Sequence, residues 1–304
     1  MSTAPSTAAG TALNKTFWYG GLKVTLADVS VVKPLKPSAG YPVGKTKLLM
    51  NANFENLGPD NSTPYSLDFA LQSGGNSYLD HDSEDEKIPE VPGLQHTLGV
   101  IAFYIDDKFS LGSAVLLVGN ADKNQAMVPL GSSGKYVSLE PQKVAVSGSI
   151  NLPGAFTLAV SGADLSYDNR KNHQEEKAGE THLTVHFAVT GNRDSQCCLS
   201  TDNLILKLPD GTAVAADRNS SFDIPGKGLT TPDETAEWIF KGASGAYDMI
   251  VKGKYGPDST DAQADLPFSV TLGVSSSASA APATGGAYPS PSSAGTVQPS
   301  PSGH

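Results

Sequence analysis

Apolar and polar residues alternate in short runs along most of this chain, as in "LKVTLADVSVV" (22–32), "LLMNANF" (48–54), "LDFALQ" (67–72) and "AVLLVG" (114–119). The same pattern returns in "FTLAV" (156–160), "LILKL" (204–208) and "MIVKGKY" (249–255). A period of two sends alternate side chains to opposite faces, which suits a strand with one face in a core and the other toward solvent. Gly, Pro, Asn and Asp interrupt the runs roughly every ten residues, so the pattern predicts an all-β chain with tight turns. Helix signals are few. "SGGNSY" (73–78) and "GSSGKY" (131–136) read as turns, since neither has the spacing of a phosphate-binding loop.

The two halves resemble each other at a nearly constant offset of about 135 residues. "GKTKLLMNANFEN" (44–56) lies over "GETHLTVHFAVTG" (179–191), "ADVSV" (27–31) over "ADLSY" (163–167), and "LDFALQSG" (67–74) over "LILKLPDG" (204–211). Leu94 corresponds to Leu229, and Phe103 falls on Trp238. Because the order of the matches is kept, two copies of one β-domain is the economical reading. Each copy holds about seven strands of alternating sequence, the amount an immunoglobulin-like sandwich requires. The expected fold class is therefore all-β, with two tandem immunoglobulin-like β-sandwiches over 15–138 and 143–274. Disordered segments are expected at 1–14 and at 275–304, where Ser, Ala, Pro and Gly dominate and no side chain of the tail carries a formal charge.

The stretch "THLTVHFAV" (181–189) sets two histidines four residues apart. On a strand, Leu183, Val185, Phe187 and Val189 share one face, and His182, Thr184 and His186 share the other. Four residues of strand span ~13 Å, too far for both rings to ligate one ion without help from elsewhere. His81, His96 and His173 stand in expected loops with no ligand spacing. The histidines are expected on a solvated strand face.

Formal charge is −10, from 31 acidic and 21 basic residues spread along the chain. That excludes a typical nucleic-acid binder, which clusters Lys and Arg, and it disfavours docking on anionic membranes. No stretch approaches the ~20 apolar residues of a transmembrane helix. "MSTAPSTAAGTALNK" lacks the basic and apolar regions of a secretory signal. Its Ser/Thr/Ala/Pro character resembles the stretch behind a processed signal, or behind the lipid-bearing cysteine of a bacterial lipoprotein. The expected location is extracytoplasmic, secreted or surface-anchored, with a lipid anchor at a removed N-terminus as one route.

Candidate chemistry is sparse. In "DHDSEDEK" (80–87), Asp80, Asp82 and Glu84 fall at positions one, three and five of a calcium loop. Asp85 replaces the turn glycine, and Val91 the bidentate glutamate, so an EF-hand is excluded and only a looser calcium site remains as the weak metal candidate. "GPDSTDAQAD" (256–265) is a weaker acidic loop. Cys197 and Cys198 are the only cysteines and are adjacent. Free thiols, a strained vicinal disulfide, an intermolecular bridge and a copper site all stay open. Neither a nucleophile elbow nor a Cys/His constellation is present. "FWY" (17–19) is either a sugar-stacking surface or the anchor of a first strand. No cofactor and no catalytic residue are expected.

The motifs "GGLKVTLADVSVV", "LMNANFENLGPDNSTP", "LDFALQSGG" and "GLQHTLGVIAFYI" of the first half, with "LILKLPDG" and "GLTTPDETAEWIF" of the second, resemble the telokin-like, immunoglobulin-like domains of secreted and lipid-anchored actinobacterial proteins. Asp233 stands where that family has a Gly. The resemblance covers about residues 16–273 and rests on framework motifs. It implies a cell-surface binding module with no shared catalytic residue. The leading expectation is a non-enzymatic module contacting an unknown protein or glycan through loops or strand edges. The alternatives are a structural spacer and, third, a secreted hydrolase or redox protein.

Overall fold

The computed structural model describes residues 10–33, 45–62, 67–82, 84–169, 172–194, 197–220, 222–255 and 260–272. The tail at 275–304 and the first nine residues of the expected leader lie outside them. The chain is all-β and antiparallel throughout its named strands. The first half runs β1 (Thr11–Tyr19), β2 (Leu22–Val32), β3 (Thr46–Asn56), β4 (Phe69–Ser73), β5 (Asn76–Tyr78), β6 (His96–Ile105), β7 (Val115–Val118) and β8 (Ala126–Pro129). The first strand begins inside the segment expected as leader. Thr11 and Ala12 pair with β2 ahead of a bulge between Ala12 and Lys15, an irregularity that hides the strand's alternation in the sequence.

The second half runs β9 (Gln142–Val144), β10 (Gly148–Leu152), β11 (Phe156–Ser166), β12 (Asp168–Asn169), β13 (Gln174–Glu175) and β14 (Glu180–Gly191). It continues with β15 (Cys197–Leu199), β16 (Leu204–Lys207), β17 (Ala213–Ala215), β18 (Phe222–Ile224), β19 (Thr230–Lys241), β20 (Gly245–Tyr255) and β21 (Thr260–Val270). Residues 260–265, assigned from sequence to an acidic loop, therefore belong to a strand.

Two sheets, β1-β2-β3-β6 and β5-β4-β7-β8, enclose one cluster of buried side chains. The sheets β10-β11-β14-β19 and β17-β16-β20-β21 enclose another. The strand orders correspond, and so does the register. Leu48 faces Phe103 across β3 and β6, and Leu183 faces Trp238 across β14 and β19. A bulge follows Leu26 in β2 and Val160 in β11, opposite Ala52 and Phe187 respectively. Register also corrects one sequence match. Val29 lies opposite Met50 and Ala163 opposite Val185, so the pairing of "ADVSV" with "ADLSY" is two residues out of step. A shift of two keeps every side chain on its own face, which is why alternation alone does not reveal it.

Alternation builds both cores. Phe17, Val24, Leu48, Phe54 and Phe103 point into the first beside Leu71, Leu116 and Val128. Leu158, Phe187 and Trp238 point into the second beside Leu206, Tyr247 and Met249. The hairpin β4–β5 turns on Gly74 and Gly75, whose φ of 57° and 84° suit the mirror-image turn that matches strand twist. No helix among the described residues is long and apolar enough to cross a membrane.

Candidate functional site

Loops beside the β1-β2-β3-β6 sheet are held by one buried side chain. Asn56, 1% exposed, donates from Nδ2 to the carbonyls of Asp60 (2.7 Å) and Val91 (3.0 Å), and its Oδ1 accepts from the Gly58 amide at 2.9 Å. The Leu94 amide donates to the Gly58 carbonyl, and Ser62 and Val91 exchange backbone bonds in both directions. Gly93 runs so close to this loop that a Cβ would meet the Pro59 carbonyl oxygen at 1.8 Å. On this frame Leu94 and Leu98 stand 74% and 78% exposed. Leu94 also carries φ of 56°, a left-handed conformation that costs a bulky residue ~1 kcal/mol and is not offset by burial. Asn56→Ala removes a hydrogen bond from the Asp60 carbonyl, the Val91 carbonyl and the Gly58 amide, and among the described residues only the Val91 carbonyl keeps another, from Ser62. The expected loss is ~1–3 kcal/mol in urea unfolding, with faster hydrogen exchange at Gly58 and Val91.

The acidic loop is centred on lysine. Lys47 Nζ, from β3, lies 2.6 Å from Asp82, 2.9 Å from Asp85 and 3.6 Å from Glu84, and Lys45 lies 2.7 Å from Asp80. Asp82 is fully buried and also accepts from the Tyr104 hydroxyl at 2.8 Å. Burial opposes its charge, yet Lys47 and Tyr104 outweigh it and hold the carboxyl below the usual range. Asp82 in turn raises Lys47 above its ordinary value. Asp80, Asp82 and Glu84, the weak calcium candidates, thus have ammonium partners already in place. Among the described residues no group of three or more His, Cys, Asp and Glu is arranged to hold a metal ion.

The histidines of "THLTVHFAV" part company. His186 is half-exposed and bonds Asp164 at 2.8 Å, and Asp164 also meets Lys143 at 2.6 Å. His182 is 4% exposed, which corrects its expected place on a solvated face. Glu176 reaches over it, 3.4 Å from Nδ1, and Glu237 of β19 lies 3.4 Å from Nε2. Neither ring nitrogen is in hydrogen-bonding geometry. Burial disfavours the charged ring, but the two carboxylates prevail and raise its pKa to about 9. His81 is likewise engaged, bonded to Glu86 and packed on Phe103.

Next to His182 the halves meet. Asp168 and Glu175 pair across the short β12–β13 ladder, and both aim at the turn between β1 and β2. The Gly21 amide donates to Asp168 at 2.5 Å and the Gly20 amide to Glu175 at 3.0 Å. Burial, reinforced by Asp168, pushes Glu175 up to about 9, so it keeps its proton at neutral pH. Asn124 fastens the other side. It donates to the carbonyls of Tyr167 and Glu180 and accepts from the Gly179 amide, while Lys123 Nζ donates to the Glu175 carbonyl.

Spacing does not announce Asp168, Glu175, Glu176 or Glu237. The one available signal is "YDNRKNHQEEK" (167–177), a charged insert with no likeness to the corresponding "VKPLKPSAGYPVG" of the first half. The backbone of Cys197 and Cys198 pairs with Ile224 and Asp223 in the β15–β18 ladder; their side chains lie outside the described part of the structure. In "FWY", Phe17 and Tyr19 are buried in the core and Trp18 alone turns outward, half-buried. Set against known proteins, the chain matches no family model, and no curated protein matches it in sequence.

Proposed function

We propose that this protein is a non-enzymatic, extracytoplasmic binding module built as two tandem immunoglobulin-like sandwiches, and that it contacts a protein partner through the 90–98 loop and the start of β6. The observation that carries this reading is Leu94 and Leu98. Two leucines are held in solvent on a hydrogen-bonded frame, one of them in a backbone conformation that costs free energy. Rigid loops presenting apolar side chains at the end of a sandwich are a common basis for binding. A protein suits leucines better than a glycan does, since sugars favour exposed aromatic faces and the FWY segment is mostly in the core. The Ser/Ala/Pro-rich composition and the telokin-like resemblance support a place at the cell surface.

Saturable binding of the labelled protein to an intact cell-envelope fraction tests this. Leu94→Asp with Leu98→Asp is expected to weaken binding at least roughly tenfold, the scale of one interface hot spot, while Leu229→Asp leaves it unchanged. Binding that ignores the leucine pair, or no saturable binding at all, rejects the reading.

The junction favours a second reading, a spacer that sets a fixed distance. Backbone and side-chain bonds from Gly20, Gly21, Lys123 and Asn124 restrain one half against the other. A spacer would show the same solution scattering profile with or without the envelope-binding surface, and no saturable partner.

A further inference from the structure

At the far edge of the first core, the start of β1 and the loop after β8 leave a recess of about 330 Å³. Leu13, Leu111, Leu130 and Lys15 line it together with the exposed Gly112 and Ser132. Lys15 lies beside the bulge of β1 and pairs with Leu26, a core position, so its side chain is directed inward. Its Nζ donates to the carbonyls of Pro129 at 2.5 Å and Gly131 at 3.1 Å, taking two of its three N–H groups. These bonds stitch β1 to the end of β8, and the stitch accounts for part of the residue's role.

The stitch leaves the charge unmatched. No carboxylate among the described residues forms an ion pair with Lys15. The stretches 1–9 and 34–44, outside the described residues, contain no Asp or Glu. Desolvation alone lowers its pKa, with no neighbouring charge acting on it. A partly desolvated ammonium facing leucine walls is costly until an anion meets it. Small-ligand sites share this form, a mostly apolar recess with a few placed polar groups.

We propose that this recess binds a small monocarboxylate with an apolar tail, its carboxylate on the Lys15 ammonium and its tail against Leu13, Leu111 and Leu130. The site is separate from the Leu94 and Leu98 surface, so either can fail without the other.

The test is calorimetric titration of the full chain with hexanoate, with hexan-1-ol and hexylamine as uncharged and cationic comparators. Hexanoate is expected to bind saturably at one site, hexan-1-ol at least roughly tenfold more weakly, as the loss of a charge-assisted bond implies, and hexylamine not at all. Lys15→Met should lose the preference for hexanoate over hexan-1-ol. Because that variant also removes the stitch, a second one keeps Lys15 intact. Ser132→Trp, at an exposed position lining the recess, should close it and abolish binding with no change in thermal unfolding. Absence of saturable hexanoate binding, equal affinity for hexan-1-ol, or binding that survives Ser132→Trp each overturns the proposal.

Discussion

Trp238→Ala is expected to cost ~3–5 kcal/mol, the largest single-residue loss in the second core, whereas Trp238→Phe should cost no more than ~1.5 kcal/mol. Trp238 is fully buried in the second half of β19, opposite Leu183 of β14, and alanine there leaves a cavity that the surrounding core cannot close. Phenylalanine is different for two reasons. The corresponding position of the first sandwich, Phe103 opposite Leu48, already packs a benzyl ring in the same register. In addition, the buried indole Nε1 has no hydrogen-bond partner among the described residues, and its removal relieves a desolvation cost that offsets part of the lost apolar area. Urea unfolding followed by circular dichroism compares the two variants. If phenylalanine is as damaging as alanine, either the indole N–H is satisfied in solution or the two positions are not equivalent, and the register correspondence loses its energetic meaning.

That correspondence is partly legible in the amino-acid sequence. The strands around Val24, Leu48, Leu183 and Met249 follow from strict alternation, because each has one face in a core and one in solvent. The Phe103 and Trp238 match is legible too, since large core-facing residues on the end strands β6 and β19 recur at one offset. The irregular positions are hidden. The bulge in β1 breaks the period that identifies a strand, and a two-residue slip in β2 against β11 preserves the faces and so leaves no trace in the alternation. His182 is misplaced for a related reason. Alternation correctly puts it on the outer face of β14, but whether an outer face meets water depends on Glu176 folding over it, a non-local fact. The corresponding residue of the first half, Lys47, is likewise a cation on the outer face of the third strand held by carboxylates, there from a covering loop alone and here from a loop and the neighbouring strand β19. Asp82 and Asp85 supply those carboxylates in one half, Glu176 and Glu237 in the other, and no shared spacing links them.

The junction that covers His182 makes stability depend on pH in a definite direction. His182 rises from 6.5 to about 9 on folding, and Glu175 from 4.5 to about 9. In both cases the folded chain holds a proton that the unfolded chain releases across that interval, so unfolding becomes easier as pH climbs. The contribution of His182 is complete below pH 6.5 and gone above about 9. That of Glu175 is complete below 4.5 and declines over the whole span to about 9, where its carboxylate would charge beside Asp168. At the acid end the sign reverses. Asp82 and Asp164 are held below the carboxylate value of 3.8 by Lys47 and by Lys143 with His186, against the opposing effect of burial, and their stabilisation is lost as pH falls through that range. Maximum stability is therefore expected at about pH 4–4.5, between the range where Asp82 and Asp164 lose their charge and the range where Glu175 is forced to hold its proton. It falls by several kcal/mol toward pH 9, at ~1.4 kcal/mol per pH unit for each proton held. Calorimetric unfolding between pH 4 and 9.5 measures the slope. His182→Leu is the sharper probe, because it removes the cation that lies between the partly buried Glu176 and the buried Glu237. The expected cost is ~3–5 kcal/mol at neutral pH, and it should grow as pH falls from about 9 toward 6.5, where the wild-type ring holds a proton that leucine cannot. A variant whose deficit is the same at pH 5 and pH 8 would mean that His182 acts by packing alone.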